Sequence, residues 1–187
     1  MSVQLILYPQ GYNGTYNSFT NPATNFIVNG YSFNNLSTAP TATGSNLPLT
    51  IITNPATVPN SWYRYKWGGG AVYPYNSSGN LILPSDIGTT SGIYQRVTGV
   101  TFGMSYDLII DIVTPPQPAY QGTLKIYLIS TSSTLSYPIA IDETTTQVVQ
   151  SLGINPFGQS GLTDFTIFVG YSENDTSSSK CTIGQIQ

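Results

Sequence analysis

The residues that could do chemistry are few, and their spacing argues against catalysis. The chain has no histidine and one cysteine, Cys181. A Ser-His-Asp or Cys-His nucleophile, and zinc held by histidine or several cysteines, are therefore excluded. A glycosidase needs two acids ~5–9.5 Å apart. Asp107 and Asp111 are four residues apart, which on one strand face is ~13 Å. Asp142 and Glu143 are adjacent and would point to opposite faces of a strand. Glu173 and Asp175 would lie ~7 Å apart by the same strand rise, or stand as two solvated loop acids. The reading is non-enzymatic, with no cofactor.

The segment Trp62-Tyr63-Arg64-Tyr65-Lys66-Trp67-Gly68-Gly69-Gly70-Ala71-Val72-Tyr73-Pro74-Tyr75 offers binding chemistry instead. On a strand, Trp62, Arg64 and Lys66 share one face, and Tyr63, Tyr65 and Trp67 share the other. An aromatic strip facing solvent could stack on sugar C–H faces and hydrogen-bond hydroxyls through its polar edges. Tyr, Trp and Arg are equally the usual anchors of protein interfaces. The alternative is that Tyr63, Tyr65 and Trp67 form the core face, with Arg64 and Lys66 solvated. Tyr73, Tyr75 and Tyr120 sit beside prolines in expected loops and could join either kind of contact.

These side chains must be positioned by strands, because the clear periodicity is two. Tyr106, Leu108, Ile110 and Ile112 alternate with Asp107 and Asp111. Leu124, Ile126 and Leu128 face inward, with Lys125 and Tyr127 outward, and Phe165, Ile167, Val169 and Tyr171 share a face. Gln95 falls on an inward face with Ile93 and Val97, where a buried amide must find partners. Strands are predicted at Val3–Leu7, Asn25–Val28, Leu47–Thr53, Trp62–Trp67, Gly79–Leu83, Ile93–Val100, Ser105–Thr114, Thr123–Ile129, Leu135–Ile141, Gln147–Leu152, Asp164–Tyr171 and Lys180–Ile186. Thr38–Asn46 and Asn174–Ser179 are predicted as loops. Many short strands without a helical period imply an all-β, antiparallel β-sandwich of jelly-roll type. The expected division is an N-terminal strand or docking arm over 1–20 and one jelly-roll domain over 21–187.

Charge narrows the partners. Of 187 residues, 5 are Lys or Arg and 8 are Asp or Glu, for a net charge of −3. Nucleic acid and polybasic membrane contact both need clustered cations, so neither partner is expected. The opening MSVQLILYPQ lacks the positive n-region of a signal peptide. A surface rich in Tyr, Asn and Thr but without an export signal suits a virion protein, made in the host cytoplasm and exposed later on the particle; a sequence trimmed of its export signal suits these facts equally well, though Met1 argues mildly against that.

The order of segments resembles a known pattern. Phe26-Ile27-Val28-Asn29-Gly30 opens it, and Asn54-Pro55 precedes Asn60-Ser61-Trp62. Gly92-Ile93-Tyr94-Gln95-Arg96-Val97 leads through Val100 and Gly103 to Tyr106–Val113. Gly122–Leu128, Phe165–Gly170 and a closing Thr182-Ile183-Gly184-Gln185-Ile186 follow. Over roughly residues 25 to 187 this is similar to the carbohydrate-binding-module-like jelly rolls of phage tail fibres and other virion surface proteins. Two acids that commonly help hold calcium in that family are missing here, where Tyr31 follows Gly30 and Gly184 stands in the closing strand. A hard cation needs several oxygen ligands, so no metal is carried over. The resemblance makes Trp62 a core residue. It implies a non-enzymatic virion structural protein of the capsid-decoration, head-fibre or tail-associated kind, an oligomer with itself or other virion proteins. The alternative is a glycan-binding domain recognising a host cell-surface polysaccharide.

Overall fold

The computed structural model describes residues 5–6, 25–27, 33, 36–43, 62–68, 72–85, 89–98, 105–114, 122–130, 133–154, 164–173 and 179–186. They form thirteen strands and, among the described residues, no helix: β1 Leu5–Ile6, β2 Asn25–Ile27, β3 Leu36–Thr43, β4 Trp62–Trp67, β5 Tyr75–Ser77, β6 Asn80–Ser85, β7 Thr90–Thr98, β8 Ser105–Thr114, β9 Gly122–Ile129, β10 Thr134–Ile141, β11 Gln147–Ile154, β12 Asp164–Glu173 and β13 Ser179–Ile186. A six-stranded sheet runs β10-β9-β12-β7-β4-β3, a five-stranded sheet runs β11-β8-β13-β6-β5, and β1 pairs with β2. All pairings are antiparallel except β3 with β4, which run parallel. The fold is an all-β sandwich of the jelly-roll kind.

The alternation explains why the two sheets stack. Ile93 and Val97 of β7, Leu124, Ile126 and Leu128 of β9, and Ile167 and Val169 of β12 present one apolar face of the larger sheet. Leu81 and Leu83 of β6, Leu108 and Ile110 of β8, and Cys181 of β13 present the facing side. Each such buried aliphatic side chain contributes about 1.5–3 kcal/mol of hydrophobic stabilisation. Trp62 is fully buried beside Phe33, with ring centroids 6.4 Å apart. Gln95 is buried in this core and is not without a partner.

Ile183 and Ile186 break the period of two, since residues three apart should face opposite ways. Both are buried because the β13–β8 register slips on either side of Ile183, a bulge that turns the end of the strand back into the core.

Two local expectations are corrected. Leu36–Thr43 is a strand, where residues from Thr38 onward were read as loop; its parallel pairing with β4 supplies a ladder that its Ser-, Thr- and Pro-rich composition does not advertise. Tyr75 begins a strand instead of lying in a loop. Ser77 pairs with Asn80 around Ser78 and Gly79, at φ 53° and 87°. Two positive φ values in a two-residue turn match the twist of the flanking strands. The predicted strand Leu47–Thr53 lies outside the described residues, as do 1–4 and 7–20 of the expected arm. Within that arm β1 lies against β8; β2, which lies beyond the arm, contacts β7.

Candidate functional site

The site is built around β4. Trp62 turns inward, so Tyr63 and Tyr65 turn to the outer face of the six-stranded sheet. There the register lines up one residue from each of four adjacent strands: Tyr63 opposite Tyr94, Tyr94 opposite Phe168, and Phe168 opposite Tyr127. Tyr63 and Tyr94 stack at 5.4 Å. Tyr65 and Tyr127 both meet Phe168 edge-on, at 5.4 and 5.9 Å. Such pairs add about 0.5–1.5 kcal/mol each beyond their buried area. With Ile129 they form an apolar cluster separate from the inter-sheet core. Glycines make room for it, since a Cβ on Gly92 or Gly170 would run into the Phe168 ring. Burial, reinforced by neighbouring phenols (Tyr127 and Tyr63 respectively), pushes Tyr65 and Tyr94 from 10.0 up to about 12.

The end of β4 is different. Trp67 is 38% exposed. Its cross-strand partner is Thr90 of β7, whose hydroxyl accepts a 3.2 Å hydrogen bond from the Lys125 ammonium of β9. Partial burial lowers the pKa of Lys125. On the other side of β4, Arg64 and Lys66 are half-buried and both address Tyr73. The Arg64 Cζ is 5.3 Å and the Lys66 Nζ 4.6 Å from its ring centroid. The Arg64 Nε is buried without a hydrogen-bond partner. Lys66 stands opposite Ser91, whose hydroxyl bonds the Pro84 carbonyl in the facing sheet.

The six residues singled out as contacts thus part company. Tyr63 and Tyr65 are buried at 1% exposure in the aromatic cluster, and Trp67 is exposed at its edge. Tyr73 is half-buried beneath two cations. Tyr75 is exposed but belongs to the other sheet, opposite Ile82. Tyr120 lies outside the described residues. Arg64 and Lys66 rest on an aromatic ring and are not simply solvated.

The acids do other work. Asp142 and Glu143 occupy the β10–β11 turn, not a strand. One Asp142 carboxylate oxygen accepts from the Thr144 amide at 2.9 Å, the Thr144 hydroxyl at 2.7 Å and the Thr145 hydroxyl at 3.1 Å. The Thr144 and Thr145 bonds hold Asp142 below the usual carboxylate range. Asp111 accepts a 2.7 Å bond from the Gln147 amide.

Tyr94, Phe168, Tyr127 and Lys125 were not singled out as a site. The signal was present as parity: each alternates with a core position on its own strand. What single strands withhold is register, which alone sets four aromatics in one row. The arrangement at Trp67 can stack against an apolar ring face while the half-buried Lys125 ammonium, held by the buried Thr90 hydroxyl, meets polar substituents.

No protein-family model matches the chain, and no curated protein matches it. Among solved structures it is similar to the enzymatically active domain of tailspike protein 4 of bacteriophage CBA120, at 13% identity and TM-score 0.43 over 66% of this chain and 19% of that one. It is also similar to a family 4 carbohydrate-binding module, at 13% identity and TM-score 0.46 over 67% of this chain and 92% of that one. A third is the family 11 carbohydrate-binding module of Clostridium thermocellum in complex with a β-1,3-1,4-mixed-linked tetrasaccharide, at 15% identity and TM-score 0.40 over 67% of this chain and 86% of that one. The match thus spans about a fifth of the tailspike chain. The fold itself rests on the strand ladders described above.

Proposed function

We propose that this chain is a non-catalytic glycan-binding β-sandwich whose sugar contact lies at the end of β4. One observation carries the reading: exposed Trp67 stands in register with Thr90, which holds the Lys125 ammonium. An indole beside an ammonium donor, which the buried Thr90 hydroxyl holds in place, is chemistry that grips a pyranose, whose ring has an apolar C–H face and a polar rim. Buried Tyr63, Tyr65, Tyr94 and Phe168 supply a rigid floor, so little ordering remains to be done on binding. A glycan array probed with the wild-type chain and Trp67→Ala tests this. The expected outcome is binding by the first and loss in the second, with an unchanged circular dichroism spectrum. Absence of binding to any saccharide at millimolar concentration contradicts it.

A second reading, a structural role on a virion surface, is supported by a different observation. The outer face of the five-stranded sheet leaves apolar side chains uncovered, with Val113 56%, Val149 47% and Tyr75 40% exposed. Exposed apolar groups on one sheet face suit a protein contact with a second copy or another virion protein. Light scattering combined with binding to purified particles tests it. A monodisperse monomer that binds no particle contradicts it. The two roles are compatible, because they use different sheets.

A further inference from the structure

Among the described residues the two large sheets end in four edge strands, β10, β3, β11 and β5. An edge strand can template pairing with another chain unless something blunts it. Pro138 lies in β10 and Pro40 in β3, each removing an amide donor, and β5 is only three residues long. β11 has no such device: Gln147–Ile154 contains no proline and no charged residue. Among the described residues β8 is its one partner strand. The Ile112 amide of β8 donates to the Thr146 carbonyl at 2.8 Å. That bond sets the phase of the ladder, because bonded and non-bonded pairs alternate along antiparallel strands. Val148 and Gln150 therefore turn their amides and carbonyls to β8, while Gln147, Val149 and Ser151 turn theirs to the outer edge. The Ser151 carbonyl takes a 2.7 Å bond from the neighbouring Gln150 side-chain amide. The side chains of Gln147, Val149 and Ser151 are all exposed.

Building on the reading of the five-stranded sheet as a protein contact, we infer that a second copy of this chain adds its own β11 to this edge, antiparallel, about a two-fold axis at Val149. The regular stretch of β11, Gln147–Ser151, is centred on Val149, and the register with β8 shifts beyond it. With the axis there, Val149 stands opposite Val149 of the second copy, and each exchanges amide and carbonyl with the other. Gln147 then stands opposite Ser151 of the second copy. Val149 is paired on its other side with Ile109 of β8, so the joined sheets carry one row of four β-branched side chains, an Ile109 and a Val149 from each copy. Charge selects the occupant. A chain of net charge −3 repels its own copy, so a self-contact belongs on an uncharged strand, and β11 offers no charge for an oppositely charged partner to read.

The test is light scattering of the full chain over a range of concentrations, combined with oxidative cross-linking of cysteine variants. The wild type should pass from monomer to dimer as concentration rises. Val149→Lys should raise the concentration of half-dimerisation about tenfold or more, since like charges then stand directly opposite. Val149→Cys should form a disulfide-linked dimer on oxidation, because opposed bonded residues have Cα atoms about 5.5 Å apart, within disulfide reach. Val113→Cys, at a position 56% exposed on the same sheet face, should not, and the fully buried Cys181 does not compete. The cross-link needs only a conservative variant to fold, whatever Val149→Lys does. A dimer that a folded Val149→Lys leaves intact, or that Val113→Cys locks as readily as Val149→Cys, overturns the inference. A wild type that is monomeric at every concentration yet binds purified particles overturns it while leaving the virion-surface reading intact. Binding of neither a copy nor a particle overturns both.

Discussion

Lys125 and Thr90 lie on strands that are not neighbours, yet the lysine ammonium donates a 3.2 Å hydrogen bond to the threonine hydroxyl across β12. The residue of β12 opposite Lys125 is Gly170, so no side chain there blocks the crossing. The ammonium loses solvent on the way, which lowers its pKa. Its charged form is therefore disfavoured in the folded chain relative to the unfolded one. Stability contributed by Lys125 should rise as pH climbs from the lowered folded value toward 10.5, where the unfolded side chain also loses its proton. Denaturant midpoints followed through that window should show this positive contribution in the wild type and lose it in Lys125→Met.

The buried tyrosines act with the opposite sign and at higher pH. Tyr65 and Tyr94 are raised from 10.0 to about 12. Their stabilisation is complete below pH 10.0 and is lost as pH rises from there through about 12, because only the unfolded chain ionises them readily. Tyrosinate absorbance should thus show a late group of phenols that appears together with the loss of β-sheet circular dichroism. Ionisation of every tyrosine before unfolding would contradict the burial of the aromatic row.

Gly92→Ala and Gly170→Ala should each destabilise the fold by about 1–3 kcal/mol, the range for overpacking a filled site. An added methyl meets the Phe168 ring in both cases. Chemical denaturation measures the shift. Gly79→Ala is a useful contrast: it meets nothing within 4 Å, and its strain arises from a φ of +87° alone.

The sequence and the structure agree where alternation decides the outcome. The strands Trp62–Trp67 and Ser105–Thr114 match end to end, because each carries an unbroken apolar alternation. Leu36–Thr43 was illegible: it is held by pairing with β4, a long-range fact absent from its own composition. Parity told correctly that Tyr63 and Tyr65 share a face opposite Trp62. It could not tell that this face is buried, since that depends on Tyr94, Phe168 and Tyr127 arriving in register from three other strands. Likewise Arg64 and Lys66 were legible as a pair of cations, while their shared contact with Tyr73 depends on the chain returning to β4 after the glycines.

Cys181 should be chemically silent. It is fully buried, and desolvation pushes its thiol up to about 12. A thiol reagent should label it only at the rate of unfolding, and completely in denaturant. Cys181→Ser should cost about 1–3 kcal/mol, as a hydroxyl placed in an apolar core without a partner does.

The chain contains two tryptophans, one fully buried in the core at Trp62 and one exposed at Trp67. Collisional quenching of tryptophan fluorescence therefore reports on the proposed contact with little background. The account predicts that a saccharide bound by this chain protects Trp67 from the quencher, and that Trp67→Phe, still folded, shows no such protection. A saccharide that binds tightly yet leaves the quenching of Trp67 unchanged would contradict the placement of the sugar site at the end of β4.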